Sequence, residues 1–439
     1  MNPELIIHAG WVVPVNPDGK VLTAHSILVG AGRILDILPT TEAKQQNRGA
    51  EEVDLPNHAL IPGLINAHTH AAMSLLRGLA DDLPLMEWLN GHIWPAEQKW
   101  VSEEFVHDGS QLAIAEMLRG GTTCFNDMYF FPDVTARAAA AAGMRATVGL
   151  IVLDFPTVWA ASADEYLSRG LDIHDQFRND ALIRTAFAPH APYSVSDTPL
   201  QRVRTLADEL EIPIHMHVHE TADEIRQAVE ARGKRPMQRL AEMDLLSSNL
   251  VAVHMTQLVT KDKDLLYASG ASVVHCPESN LKLASGFCPV AELVENGVNV
   301  AIGTDGAASN NDLDMFGEMR TAALLAKGVS ENAASVPAAI ALRMATLNGA
   351  IALGVEEETG SLERGKSADI VAVDLHAMET RPLYHVLSQL VYATGRDRVT
   401  DVWIRGRRVL RNRQLTTLDH AEILKKILDW QQKLAENNK

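Results

Sequence analysis

Histidines and acids recur at the ends of short apolar runs in this chain, and together they have the chemistry of a divalent-metal site. His68 and His70 stand two apart in PGLINAHTH. In a strand that spacing turns both rings to one face. Two imidazoles crowded into an apolar setting are costly unless something binds them, and a divalent cation does so. The plainer alternative is a hydrogen-bonded pair. IHMHVHE places His215, His217 and His219 on one face of another strand, and the two-residue period does not choose among them. A ligand belongs at the rim, followed by a loop residue that reaches back, and His217 with Glu220 fits that description. His215 reads as a deeper, hydrogen-bonded histidine, and His219 stays open. His254 ends LVAVH, either as a ligand or as a partner of metal-bound water and substrate. Asp305, in NVAIGTDGAASNN, would alone be a helix cap; opposite three imidazoles it is a candidate fourth ligand. Three nitrogens, one oxygen and an open position form a catalytic pattern for Zn²⁺ that also suits Fe²⁺ or Mn²⁺.

Side chains so far apart in sequence need a scaffold that gathers them. Eight β-type runs alternate with Ala/Leu/Glu/Arg-rich helical stretches: ALIPGLINAH, TTCFNDM, ATVGLIVL, LIRTAFAP, IPIHMHVH, LVAVHM, ASVVHCP and VNVAIGTD. The pattern predicts a (β/α)8 TIM barrel over residues 59–374, whose chemistry collects at the C-terminal ends of the strands. Residues 1–58 and 375–439 add short strands at both ends of the chain, and these are expected to join in one small β-sandwich domain. GAGRIL lacks a third glycine and a following helix, so it reads as a hairpin turn rather than a dinucleotide loop. HAEILKKILDWQQKLAENNK is an amphipathic terminal helix.

Composition narrows the function. Lys+Arg 39 against Asp+Glu 56 gives a net charge of −17, which argues against nucleic-acid and membrane-surface partners. Cys124, Cys276 and Cys288 form no CxxC, so neither a disulfide framework nor a cysteine zinc site is expected. There is no basic-then-apolar leader, and no apolar run reaches the ~18 residues of a membrane span. The expected location is the cytoplasm. The H-x-E with P-C-x-x-C signature of cytidine-type deaminases is absent.

PGLINAHTH, HVHE, VAVHM, HCPESNLKLASG and IGTDGAASNN resemble the amidohydrolase superfamily, in particular its 5-methylthioadenosine/S-adenosylhomocysteine deaminases, over nearly the whole chain. The resemblance implies that His68, His70, His217 and Asp305 hold one divalent metal. Binuclear relatives carry a bridging lysine where this chain reads AFAPHAPYSVS, so one ion is expected. It also implies that Glu220, His254 and Asp305 are catalytic: Glu220 protonates a ring nitrogen, His254 stabilises the new oxygen, and Asp305 takes the proton of a metal-activated water. Glu97, in HIWPAEQKW, falls where a carboxylate holds the ribose hydroxyls, and His190 falls on a substrate histidine; Glu220 and Asp305 complete the substrate contacts. The implied reaction is hydrolytic deamination of a purine nucleoside with release of ammonia, by a homo-oligomer of two or more subunits.

One departure bears on the substrate. Members that prefer S-adenosylhomocysteine hold its carboxylate with arginines in and after the third strand, whereas residues 146–168 contain no Arg or Lys. They offer Leu150, Val152, Phe155 and Trp159, which suit a methylthio tail. 5'-Methylthioadenosine is therefore the expected substrate, ahead of S-adenosylhomocysteine and adenosine, and Leu150→Arg is expected to raise relative activity on S-adenosylhomocysteine. Trp88 and Trp94 serve either as a lid wall or as packing. The alternatives are a guanine, pterin or triazine aminohydrolase of the same superfamily, or a non-catalytic scaffold.

Overall fold

The computed structural model describes residues 2–45 and 49–436. Eight parallel strands follow one another around a barrel: Leu64–Thr69, Thr122–Asp127, Arg145–Val152, Ile183–Pro189, Ile214–Val218, Leu250–His254, Ser272–His275 and Val300–Ile302. They coincide with the eight predicted runs. Nearly every residue in them is buried, as expected for strands covered on both faces. The helices between them start where the sequence supplies caps: Ser102, Ser162 and Thr221 each accept a main-chain N–H from the third residue on. The barrel closes where the eighth strand meets the first. Asp305 N–H donates to the His68 carbonyl at 3.0 Å, and Thr304 N–H donates to Asn66 Oδ1 at 2.9 Å. Gly303 permits this approach, because a Cβ there would lie 2.8 Å from the His68 nitrogen.

The two ends of the chain build a second sheet of eight strands. Its centre is Glu51–Pro62, which pairs in parallel with Leu5–Val12 and antiparallel with Ile370–Asp374. The sheet folds over: Ile34 N–H donates to the Lys366 carbonyl and Ala368 N–H to that of Gly32, enclosing Ile7, Ile27, Ile34, Ile370 and Trp403. Ile370–Asp374, grouped with the barrel by the 374/375 division, belongs to this sheet because its neighbours are Glu51–Pro62 and Val399–Ile404. GAGRIL forms the hairpin between Leu22–Gly30 and Arg33–Pro39. The terminal helix His420–Glu436 docks on Glu103–Arg119, where buried Asp108 receives Lys426 Nζ and Trp430 Nε1, each at 3.0 Å. The three cysteines are buried and unpaired. Among the described residues no helix is long and apolar enough to cross a membrane.

A buried ion pair joins the two units. Arg145, on the third barrel strand, donates through Nε to Asp369 Oδ2 at 2.5 Å and through Nη2 to Ser367 Oγ at 2.8 Å. Asp369 also receives the Arg405 main-chain N–H. Removing one member strands the other charge away from water, so Asp369→Ala is expected to cost about 3–5 kcal/mol. Urea unfolding of the metal-saturated protein checks this, and a loss under about 1 kcal/mol would show that the pair does not tie the units together. The double variant Arg145→Met/Asp369→Leu is expected to recover most of the loss.

Candidate metal centre and active-site cavity

His68, His70, His217 and Asp305 converge at the C-terminal end of the barrel, with one ligand atom from each lying within 4.8 Å of all the others. The imidazole orientations show what the cluster requires. His217 Nδ1–H donates to the His190 carbonyl at 2.9 Å, and His70 Nδ1–H to the Met128 carbonyl at 2.6 Å. A carbonyl only accepts, so in the neutral rings the proton sits on Nδ1 and the Nε2 lone pair faces inward. His217 Nε2 and His68 Nε2 lie 3.1 Å apart. Asp305 Oδ1 lies 3.2 Å from His70 Nε2 and 3.5 Å from His68 Nε2. Inward lone pairs and a carboxylate suit a divalent cation.

These four stand beside a cavity of about 690 Å³, lined also by Glu97, His190, Glu220 and His254. The structure thus brings every predicted site residue to one place. His254 Nε2 is 3.9 Å from Glu220 Oε2, and its Nδ1 is held by Asn280 Oδ1 at 2.8 Å. His190 is fixed by Ser194 Oγ at 3.0 Å. Glu97, from the short helix Trp94–Trp100, reaches in beneath Trp88 and Trp94, which both line the cavity. Tyr129 Oη donates to Glu97 Oε1 at 2.7 Å. Burial, opposed by Tyr129, leaves the Glu97 carboxyl raised to about 7.

The expected tail pocket needs correction. Of Leu150, Val152, Phe155 and Trp159, only Phe155 lines the cavity; the strand presents Ile151 and Leu153 instead. Leu150 packs against the helix Ala163–Phe177, where its Cβ lies 3.2 Å from the position of a Cβ added at Gly170. Trp159 packs at a tilt against Tyr166, with ring centroids 5.5 Å apart. Leu150→Arg would therefore bury a charge against a helix rather than place it beside a substrate.

Residues 59–409 match the amidohydrolase family. The chain belongs to the amidohydrolase family. It is 51% identical over 431 residues to 5-methylthioadenosine/S-adenosylhomocysteine deaminase of Saccharophagus degradans, covering 98% of this chain and 97% of that protein. The protein of the same name from Teredinibacter turnerae is 50% identical over 428 residues, covering 98% and 97%. Among solved structures, an adenosine deaminase from Xanthomonas campestris with bound zinc superposes with a TM-score of 0.98 at 55% identity, covering 99% of each chain. Atrazine chlorohydrolase TrzN from Arthrobacter aurescens, at 21% identity and a TM-score of 0.91 over 97% and 99% of the chains, shares the fold.

In this amidohydrolase a further layer holds the site residues in place: His215, expected from the sequence as a deeper hydrogen-bonded histidine, and Ser279, Ser309 and Glu224, which the sequence reading missed. His215 Nε2 lies 2.8 Å from His68 Nδ1. Ser279 and Ser309 donate to Asp305 Oδ2 at 2.6 and 2.9 Å. Glu224 accepts the main-chain N–H groups of His219 and Glu220, while Thr221 Oγ1 accepts that of Glu224. The T-x-x-E spacing of a capping box was the available signal for this. His219 is bound by the Gln257 carbonyl and the Met237 N–H, so it is a scaffold residue rather than a ligand. His254 and Asp305 adopt φ of 77° and 62°, left-handed conformations that turn each side chain inward at its strand end.

The electrostatics couple metal and proton. Burial holds His68 down to about 4 and His217 well below its ordinary value, so both are neutral at pH 7. For His70 burial acts the same way, but the hydrogen bond and charge of Asp305 outweigh it and raise His70 to about 9. At pH 7 the metal-free site therefore carries a proton on His70 that a divalent ion must displace. Zinc affinity is expected to rise about tenfold per pH unit from 7 towards 9 and then to flatten, with about one proton released per ion at pH 7. Calorimetric titration in buffers of differing ionisation enthalpy measures that proton; zero release at pH 7 would refute the assignment.

Proposed function

We propose that this amidohydrolase converts 5'-methylthioadenosine and water to the inosine-type product and ammonia, with zinc held by His68, His70, His217 and Asp305. The observation that carries the reading is one cavity beside a cluster of four side chains that can ligate a metal, with a buried carboxylate, Glu97, and an apolar wall free of Lys and Arg. Zinc, when bound there, supplies Lewis acidity that makes water a nucleophile at neutral pH. Asp305 accepts the proton that this water loses. Burial raises the Glu220 carboxyl, which favours its use as the acid that protonates the ring nitrogen beside the attacked carbon. His254, oriented by Asn280 Oδ1 at its Nδ1, stabilises the oxygen that adds to that carbon. A proton then passes to the amino group, the C–N bond breaks and ammonia leaves. His190 contacts the substrate from the fourth strand's end.

Glu97 argues for a nucleoside over a free base. Tyr129 occupies one of its oxygens, leaving the other to accept from the ribose hydroxyls. Guanine, pterin and triazine substrates would leave that carboxyl without a partner, and four convergent metal ligands argue against a scaffold. The wall of Ile151, Leu153, Phe155 and Val158 suits a methylthio group. Asp154 at the same wall would repel the carboxylate of S-adenosylhomocysteine. We further assign the protein to the cytoplasm as a homo-oligomer; nearly fully exposed Met378 and Tyr384 offer apolar surface for self-association.

Ammonia release from methylthioadenosine, S-adenosylhomocysteine, adenosine and guanine, before and after chelation, tests the reading. Methylthioadenosine is expected to be fastest, and chelation to abolish turnover. Glu220→Gln and Asp305→Asn should each lower kcat by about 10²–10⁴-fold; a rate within threefold of wild type would remove that residue from the proton path. KM for methylthioadenosine should fall as pH rises through about 7, because Glu97 ionises there and the carboxylate is the form that accepts from the diol. Glu97→Gln should flatten that dependence.

The tail preference has its own test. Phe155→Arg and Asp154→Asn should each raise the ratio of S-adenosylhomocysteine to methylthioadenosine activity, Phe155→Arg by about tenfold. An unchanged ratio in both variants would mean that this wall does not meet the 5' substituent.

A further inference from the structure

A second cavity, of about 820 Å³, opens between the terminal helix His420–Glu436 and the turn Ala71–Leu76 that follows the first barrel strand. Among the described residues it shares no lining with the active-site cavity: Met73 of that turn faces the active site, whereas Ser74 and Leu75 face the second cavity. Its volume is that of a small-molecule site.

The two walls differ in character. Ile423, Ile427 and Leu434 of the terminal helix make one side apolar. The other carries Arg77, Arg119, Arg396 and Arg413 with Glu116 and Asp397. The carboxylates there are already matched: Glu116 is held by Arg77 and by Arg396 at 2.7 Å, and Asp397 by Arg398 at 3.1 Å. Arg119 and Arg413 are not. Among the described residues neither has a carboxylate within ion-pair distance, and the Arg119 guanidinium makes no hydrogen bond. Arg413 Nη1 donates only to the main-chain carbonyls of Arg396 and Val399, at 3.0 and 2.7 Å. Burial, with the charges of Arg119 and Arg396 beside it, holds Arg413 below its ordinary pKa. Ser74 supplies an independent sign: it is 3% exposed, lines this cavity, and its Oγ has no partner. A chain with net charge −17 thus presents two unmatched guanidiniums and an unused hydroxyl opposite an apolar wall.

We propose that this cavity binds a small organic oxyanion, a carboxylate or phosphate on an apolar body. Arg119 and Arg413 hold the oxygens, Ser74 donates to one of them, and the terminal helix covers the apolar part.

Calorimetry on the zinc-loaded full chain at low salt tests this with three probes: hexanoate, hexyl phosphate and neutral hexanol. One equivalent of at least one anion is expected to bind, with hexanol at least tenfold weaker. Binding by only one anion tells carboxylate from phosphate. Arg119→Gln, which breaks no side-chain hydrogen bond or ion pair among the described residues, should weaken binding about tenfold, and Arg413→Gln likewise, while Arg119→Lys retains most of it. Methylthioadenosine turnover should be unchanged in the Arg119 variants, which separates this site from the active site. No anion binding at millimolar concentration, hexanol binding as tight as the anions, or heat that persists equally in Arg119→Gln and Arg413→Gln would overturn the proposal.

Discussion

An imidazole lone pair turned towards a second buried imidazole and a carboxylate sets the terms for this molecule. His217 Nδ1–H is committed to a carbonyl, so its Nε2 lone pair is turned toward His68 Nε2 at 3.1 Å. Burial disfavours relieving that opposition by protonating either ring, since both are held below the ordinary histidine range. Asp305 adds negative charge to the same point. A buried arrangement of this kind is stable only when a positive charge occupies its centre. In the metal-free chain the proton on His70 supplies part of that charge, which is why metal binding and proton release are linked.

The barrel and the ligand set close together. The main-chain N–H of Asp305 seals the eighth strand to the first through the carbonyl of His68, so one hydrogen bond completes the barrel and joins two ligands. The same economy appears after the fifth strand. Thr221 caps the next helix by accepting the Glu224 N–H, and the Glu224 carboxylate takes the N–H groups of His219 and Glu220, fixing the backbone that presents the acid. Arg145 and Asp369 extend the coupling to the terminal sheet. Site geometry is thus tied to pairings that also decide stability, and a fault in either disturbs both.

Most of the architecture was legible in the chain. Alternating apolar and helical runs marked the strands, and the acids and imidazoles at their ends marked the rim. Legibility failed at the third strand for a definite reason. Arg145–Val152 is buried at every position because both of its faces are covered, and from Val148 onward it has no polar residue whose alternation would show which side chains point inward. A shift of one residue exchanges faces, and Leu150 and Val152 were taken where Ile151 and Leu153 line the cavity. Tyr129, Asn280 and Ser309 escaped notice for another reason. Each is an ordinary polar residue whose significance lies in a partner brought near only by folding.

The division between floor and walls bears on how such a scaffold takes different substrates. His68 and His217 sit on strands, held by ladder hydrogen bonds, and His70 and Asp305 lie just past the ends of the first and eighth strands. Glu97 and the two tryptophans arrive on short helices between the first barrel strand and Glu103–Arg119, and Asp154, Phe155 and Val158 lie on the loop after the third strand. These segments carry no barrel hydrogen bonds, so their sequence can change while the strand ends stay put. A TM-score of 0.91 at 21% identity shows that this fold is kept while most residues change. On the function proposed above, substrate identity rests on Glu97 and the wall around Phe155, where the cavity lining has no Lys or Arg.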